Sequence, residues 1–163
     1  MENRTVYCEN IKYRGKANKI KWKKLEEELK FLIGKSQIID YNNKTVYIGK
    51  DFPDEFAGSN YTAKLKGALV KVKANISNYV LELIRNAYNE RHQENKSEKH
   101  SNDAKNGWDR YDVDVAIPII DENGNNNYYN YYKITMIVRC DKDGKSYLYD
   151  FIDIKKGKCT PLG

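Results

Sequence analysis

Between Trp108 and Lys156 three consecutive runs alternate with period two, and that alternation leaves few folds open. In the first run Tyr111, Val113, Val115 and Ile117 fall on one side, with Arg110, Asp112 and Asp114 on the other. After the turn DENGNNN, residues Tyr132, Ile134, Met136, Val138 and Cys140 alternate against Tyr131, Lys133, Thr135, Ile137 and Arg139; DKDG then leads into SYLYDFIDI. Successive strand side chains point to opposite faces, so each run has one apolar face, and short turns join such runs into a three-stranded antiparallel meander. Its apolar face requires a cover.

The cover precedes it. Residues 18–33 (NKIKWKKLEEELKFLI) place Trp22, Leu25, Leu29 and Leu32 on one helix face, and Gly34 suits the residue just past a helix end. SQIIDY and KTVYIG flank Asn42-Asn43, a hairpin signal because asparagine tolerates positive φ. DFPDEFAGSN (51–60) combines Pro, Gly and three acids and reads as a loop. From Tyr61, Leu65, Leu69, Val72, Ile76, Val80, Leu83 and Ala87 recur at helical spacing, with Lys64, Lys66, Lys71 and Lys73 beside that stripe; Ser77-Asn78 predicts a break with Ser77 as N-cap. The predicted class is α+β, N-terminal helices packed on a C-terminal antiparallel β-meander. Residues 1–55 form a helix and small hairpin within the same compact unit, and 56–163 the core domain.

At 163 residues the chain is one domain by length. Lys and Arg outnumber Asp and Glu by 29 to 23, for a net charge of +6, which favours nucleic acid or an acidic protein as partner. Fourteen tyrosines against four phenylalanines suit sheets, interfaces and base stacking alike. Cys8, Cys140 and Cys159 form no CxxC pair, so the sequence supports neither a disulfide framework nor a zinc site, and reduced thiols are the expectation. No window approaches the roughly 18 apolar residues of a membrane span, and the N-terminus lacks a secretory core. No membrane partner is expected, and the expected setting is the cytoplasm of a producing or target cell, reached if need be as part of a larger protein.

Residues 91–112 (RHQENKSEKHSNDAKNGWDRYD) concentrate both histidines with many cations. Histidine takes and gives protons near neutrality, with a pKa of roughly 6.5, and Lys and Arg suit phosphate oxygens. His100 sits in a polar segment before the first meander strand and is the candidate base; His92, ending the helical pattern, is expected at a helix C-terminus, stabilised by the dipole. Neither has a partner at HExxH-type spacing, so no metal is implied. Arg110, beside Asp112 and Asp114, is a candidate for a cationic sheet face, and Thr160 in DIKKGKCTPLG a candidate for the same sheet-end cleft. Each also has an ordinary reading, as a solvated face or a frayed tail.

Taken together, YTAKLKGALVKVKANISNYVLELI, the 91–112 series, KSYLYDFIDIKK and CTPL resemble a phage-type family of the barnase/EndoU/colicin/RelE-like (BECR) nuclease superfamily, found in large polyvalent proteins of phages and conjugative elements. The likeness covers about residues 60–162. It rests on Glu94, Asn95, Lys96, Glu98, Lys99, His100, Asp103, Ala104, Lys105, Gly107, Trp108, Arg110, Tyr111 and Asp112, then on 148–156 and Thr160. Asn106 and Asp109 depart from it, since relatives often carry tyrosine there; an acid at 109 is expected to weaken phosphate affinity locally.

The resemblance implies a metal-independent endoribonuclease without a cofactor, often a toxin aimed at transfer RNA, with helices before a four-stranded antiparallel sheet. His100, Arg110, Tyr111 and Thr160 are the implied catalytic residues; Lys64, Lys66, Lys71, Lys73, Lys99, Lys105, Lys155 and Lys156 are the expected RNA-binding cations. The expected reaction is attack by a ribose 2′-hydroxyl, with His100 as base and Arg110 on the transition state. An immunity or antitoxin protein is an expected partner of a monomeric enzyme. Two alternatives are a degraded nuclease fold that binds RNA or protein without cleaving, and an adaptor for an acidic protein.

Overall fold

The computed structural model describes residues 3–14, 20–94, 107–120, 123–157 and 160–161. Its centre is the meander: β5 (Trp108–Ile120), β6 (Asn126–Cys140) and β7 (Ser146–Lys156), the three longest strands, paired antiparallel in sequence order. The alternation sets the faces as expected. Tyr111, Val113 and Val115 are buried opposite Met136, Ile134 and Tyr132, while Arg110, Asp112 and Asp114 keep partial exposure.

Short elements cover the exposed edges of the meander, where unpaired backbone groups would otherwise recruit other chains. β1 (Val6–Tyr7) runs parallel to β5 at Val115 and Ala116, and β4 (Tyr88–Gln93) takes the other half of the same edge, antiparallel, from Trp108 to Asp112. On the opposite side β3 (Thr45–Tyr47) lies parallel to the start of β7, with β2 (Ser36–Ile38) outside it. Beyond β3, the Ile154 amide donates to the Tyr61 hydroxyl at 2.9 Å instead of to a strand. β8 (Thr160–Pro161) pairs with β6 at Tyr128 and Tyr129. Among the described residues the sheet therefore has eight strands, two of its pairs parallel, more than the four antiparallel strands the resemblance implied.

The helices are α1 (Trp22–Leu29), α2 (Phe52–Gly58), α3 (Asn60–Lys64), α4 (Ala68–Ile76) and α5 (Val80–Arg85). Leu25, Leu29, Phe52, Phe56, Val72, Ile76, Leu83 and Ile84 join Val113, Ile134, Met136 and Phe151 in one core, so segments on both sides of residue 55 share it. Burying such side chains contributes about 1.5–3 kcal/mol each. The hairpin expected around Asn42-Asn43 is present, but its turn is longer than those two residues, since the Ile39 amide donates to the Lys44 carbonyl; Asn43 is at φ 62°, and Gly34, at φ 92°, ends the first helical segment. No helix among the described residues is long and apolar enough to cross a membrane.

Three local expectations are corrected. Residues 52–58 are a helix, not a loop: Pro53 sits in its first turn, where a missing N–H costs nothing, and Phe52 and Phe56, four residues apart, both reach the core. The break at Ser77 exists as a 3₁₀ turn (77–79), but Ser77 does not cap α5; its hydroxyl donates back to the Ala74 carbonyl at 2.7 Å. Lys73 does not share the solvent face of α4. It is fully buried, 2.8 Å from Asp150 Oδ1 and 2.5 Å from the Thr62 hydroxyl.

Candidate active site

Helix α5 stops at Arg85, and the chain enters β4 as an extended strand because β5 offers an unpaired edge there. His92 is therefore a strand residue and not a helix C-terminal partner, in contrast to its expected place. The register is Arg91 opposite Arg110 and His92 opposite Asp109. A bulge between Tyr88 and Arg91, with Asn89 at φ 59°, resets the faces. Without it Tyr88, Glu90 and His92 would lie on one side. With it the Tyr88 hydroxyl donates to Asp114 at 2.8 Å on the outer face, while Glu90 and His92 face a cleft.

That cleft, of about 660 Å³, lies where four pieces of chain meet. β4 supplies Glu90 and His92; β5 supplies Asp109; β3 and the residue before it supply Tyr47 and Lys44; and the β6–β7 turn with the strand residues flanking it supplies Cys140, Lys145 and Ser146. Asp109, 4 % exposed, lies with Oδ1 2.6 Å from His92 Nδ1, whereas the imidazole itself is open to solvent, its Nε2 3.4 Å from the exposed Glu94 carboxylate. The buried Asp109 carboxylate favours a proton on Nδ1, so Nε2, which faces solvent and the Glu94 carboxylate, is the nitrogen at which the ring gains and loses its second proton. Glu90 is ion-paired with Lys44 and accepts from Asn42 Nδ2 at 2.8 Å; Lys44 Nζ also lies 4.0 Å from Asp109 Oδ2.

Charge states follow from these contacts. The hydrogen bond to Asp109 raises the His92 pKa above its ordinary value, outweighing the opposing effect of desolvation. Burial acts to raise Glu90, but its bonds to Lys44 and Asn42 prevail and the net shift is downward. Lys44 is held charged chiefly by its hydrogen bond to Glu90. Burial, and then the neighbouring Asp109 charge, push the Cys140 thiol up to about 12, so it is protonated at neutral pH and is no activated nucleophile. The cleft thus offers an oriented imidazole base beside two ammonium groups, Lys44 and Lys145.

The other expected site residues are dispersed. His100, Lys99 and Lys105 lie outside the described residues; their segment joins Glu94 to Gly107. Arg110 follows Asp109 but belongs to the opposite, outer face. Tyr111 is 1 % exposed, and its hydroxyl, held neutral by burial, accepts from Asn42 Nδ2 at 3.1 Å; it braces the site from below without lining the cleft. Thr160 does not share a sheet end with Arg110. It pairs with Tyr129, eight residues along β6 from Ile137, the partner of Arg110, which at 3.3 Å per residue is roughly 26 Å.

None of the described candidate RNA-binding lysines lines the cleft. Lys64 and Lys66 are exposed; Lys71 borders a separate hollow of about 260 Å³ with Arg14, Pro118 and Asn130. Lys155 and Lys156 border another, of about 370 Å³, with Tyr131 and Lys133. Asp109, expected to repel phosphate, is turned inward and spent on His92. Sequence reasoning missed Asp109, Lys44, Glu90, Cys140 and Lys145; residues 89–93 are polar throughout and carry no strand pattern, so only the pairing of β4 with β5 brings these groups together.

Gly107 closes the junction beneath His92, with its carbonyl accepting from the Cys140 amide at 2.9 Å. Its φ is +89°, and an added Cβ would meet the Gln93 carbonyl oxygen at 2.4 Å. Gly107→Ala is expected to cost about 1–3 kcal/mol, or roughly 2–4 °C of melting temperature per kcal/mol at this chain length. An unchanged thermal transition would show that this junction yields freely.

No protein-family model, curated protein or solved structure matches this chain.

Proposed function

We propose that this chain is a metal-independent endoribonuclease, a toxin acting on transfer RNA or other RNA, and that its chemistry takes place at the His92–Asp109 pair. The observation that carries this reading is an imidazole with Nδ1 2.6 Å from a buried carboxylate and Nε2 open to solvent near Glu94, in a cleft that Lys44 and Lys145 also line. In the proposed reaction Nε2 takes the proton of a ribose 2′-hydroxyl, and O2′ attacks the adjacent phosphorus. The bond to the 5′-oxygen breaks and a 2′,3′-cyclic phosphate remains. Lys44 and Lys145 stabilise the charge gathering on the phosphoryl oxygens, the effect from which the largest share of acceleration is expected. His100 is assigned to protonate the leaving oxygen. Net charge of +6, the tyrosine excess and the likeness to BECR nucleases support RNA as substrate, and an α+β fold built on an antiparallel meander accords with a barnase/RelE-like scaffold.

The test is incubation of the purified protein with total RNA in excess EDTA, followed by mapping of fragment ends. Cleavage should persist and leave cyclic phosphate, and DNA, lacking the 2′-hydroxyl, should be inert. Loss of cleavage in EDTA with rescue by magnesium would refute the mechanism.

The pH profile provides a second check. A base acts when neutral, so a raised His92 pKa moves the rising limb of the rate to higher pH, with its midpoint above the ordinary histidine value of roughly 6.5. Asp109→Asn removes the charge responsible and should shift that midpoint downward, measured in EDTA. A midpoint indifferent to Asp109 would mean that another group titrates.

A further inference from the structure

We propose that His92, Asp109 and Cys140 together form a zinc site, and that zinc bound there switches the cleft off. The three offer one imidazole nitrogen, one carboxylate oxygen and one sulfur, all within 4.8 Å of one another. They stand on three neighbouring strands: His92 is directly opposite Asp109, Asp109 is opposite Val138, and Cys140 is two residues beyond on the same face. The Gly107–Cys140 backbone bond fixes the end of β6 against the start of β5. Donors 2.0–2.3 Å from a tetrahedral zinc ion lie roughly 3–4 Å apart, so side-chain adjustments of about an ångström close the site. No ligand has to be brought in by the backbone.

The donor set selects the metal. Sulfur and imidazole suit zinc, whereas magnesium and calcium prefer all-oxygen shells. Glu90 and Asp141 line the same wall and offset Lys44 and Lys145, so the cleft does not exclude a dication. The fourth position faces the cleft, open to water or a phosphate oxygen. On binding, the Cys140 thiol proton passes to solvent as sulfur becomes a thiolate ligand. Zinc also takes Asp109 from His92 and occupies an imidazole nitrogen, which removes the oriented base. The inhibitory half of this proposal rests on the ribonuclease reading; the site itself does not.

Metal-freed protein is titrated with cobalt(II), then with zinc(II). One cobalt ion per chain should bind with a thiolate-to-cobalt charge-transfer band in the near ultraviolet, and micromolar zinc should displace it while millimolar magnesium should not. Cys140→Ser should abolish the band, and Asp109→Asn should weaken binding at least tenfold. X-ray absorption of the zinc-loaded wild-type protein should show one sulfur at about 2.3 Å with nitrogen and oxygen ligands, a readout that stands even if a variant fails to fold. An all-oxygen and nitrogen shell, or a cobalt band that survives in Cys140→Ser, overturns the site. In the RNA assay zinc should abolish cleavage over the concentrations that fill the site, with recovery on adding EDTA. Sulfur-ligated zinc with undiminished cleavage overturns the switch. Sulfur-ligated zinc in a protein that cleaves no RNA under any condition upholds the site and defeats the ribonuclease reading instead.

Discussion

His92→Ala is expected to lower RNA cleavage at saturating substrate by about 10²–10⁴-fold, the usual contribution of a general acid–base group. RNA affinity should barely change, since the imidazole is assigned to the chemical step and not to phosphate binding. Asp109→Asn leaves the imidazole in place but loosens its tautomer and orientation, so a loss of about ten- to a hundredfold is expected. The roles of the two histidines separate with an RNA analogue whose leaving group is a good one, such as a nitrophenolate. Such a leaving group needs no proton, so His100→Ala should recover most of its rate on that substrate while His92→Ala should not. If His92→Ala cleaves normally and His100→Ala stays inactive even with the activated leaving group, the base is His100, and the cleft has been assigned the wrong reaction.

How far the sequence disclosed this arrangement depends on where each element gets its structure. The meander was legible because period-two alternation is written into β5 to β7 themselves, and burial follows it from Tyr111 to Val115 and from Tyr132 to Met136. β4 was not, because NERHQ is a polar run with no pattern of its own; it is a strand because β5 has an edge to fill. The sequence alone therefore puts His92 at a helix end and reads Asp109 as an acid that weakens phosphate affinity. Each makes sense only once the register sets them opposite one another. Thr160 was misplaced for a related reason. Two register shifts between β6 and β7 and the short β8 decide which end of the sheet it reaches, and neither feature is visible in local composition. The α+β class was therefore readable in full, and the site only in its residue types.

Lys73 shows the same limit from the helix side, and the largest expected effect on stability follows from it. A lysine beside an apolar helical stripe ordinarily belongs to the wet face, but here the α4 stripe is wide enough to take Lys73 into the core. Its ammonium meets Asp150 at 2.8 Å, stands 4.7 Å from the centre of the Phe56 ring and bonds the Thr62 hydroxyl, while Asp150 also accepts from the Phe151 amide at 2.8 Å. Burial opposes both charges, lowering the Lys73 pKa and raising that of Asp150, and their mutual attraction offsets the cost. Removing one partner leaves the other buried without its counter-charge, either stranded as an ion or forced to neutralise. Lys73→Met or Asp150→Leu alone is expected to destabilise the fold by about 3–5 kcal/mol, read as a lower denaturant midpoint, whereas the double variant should recover most of that loss because neither charge is then stranded. Lys71→Gln, on the same helix but partly exposed, should leave the midpoint unchanged; if Lys71 takes part in RNA binding, the variant should instead flatten the salt dependence of affinity, by roughly 0.7 in slope for each phosphate of a single strand that is no longer neutralised. Should Lys73→Met unfold no more readily than Lys71→Gln, the pair is not buried in solution, and the packing of α4 against β7 would have to be redrawn.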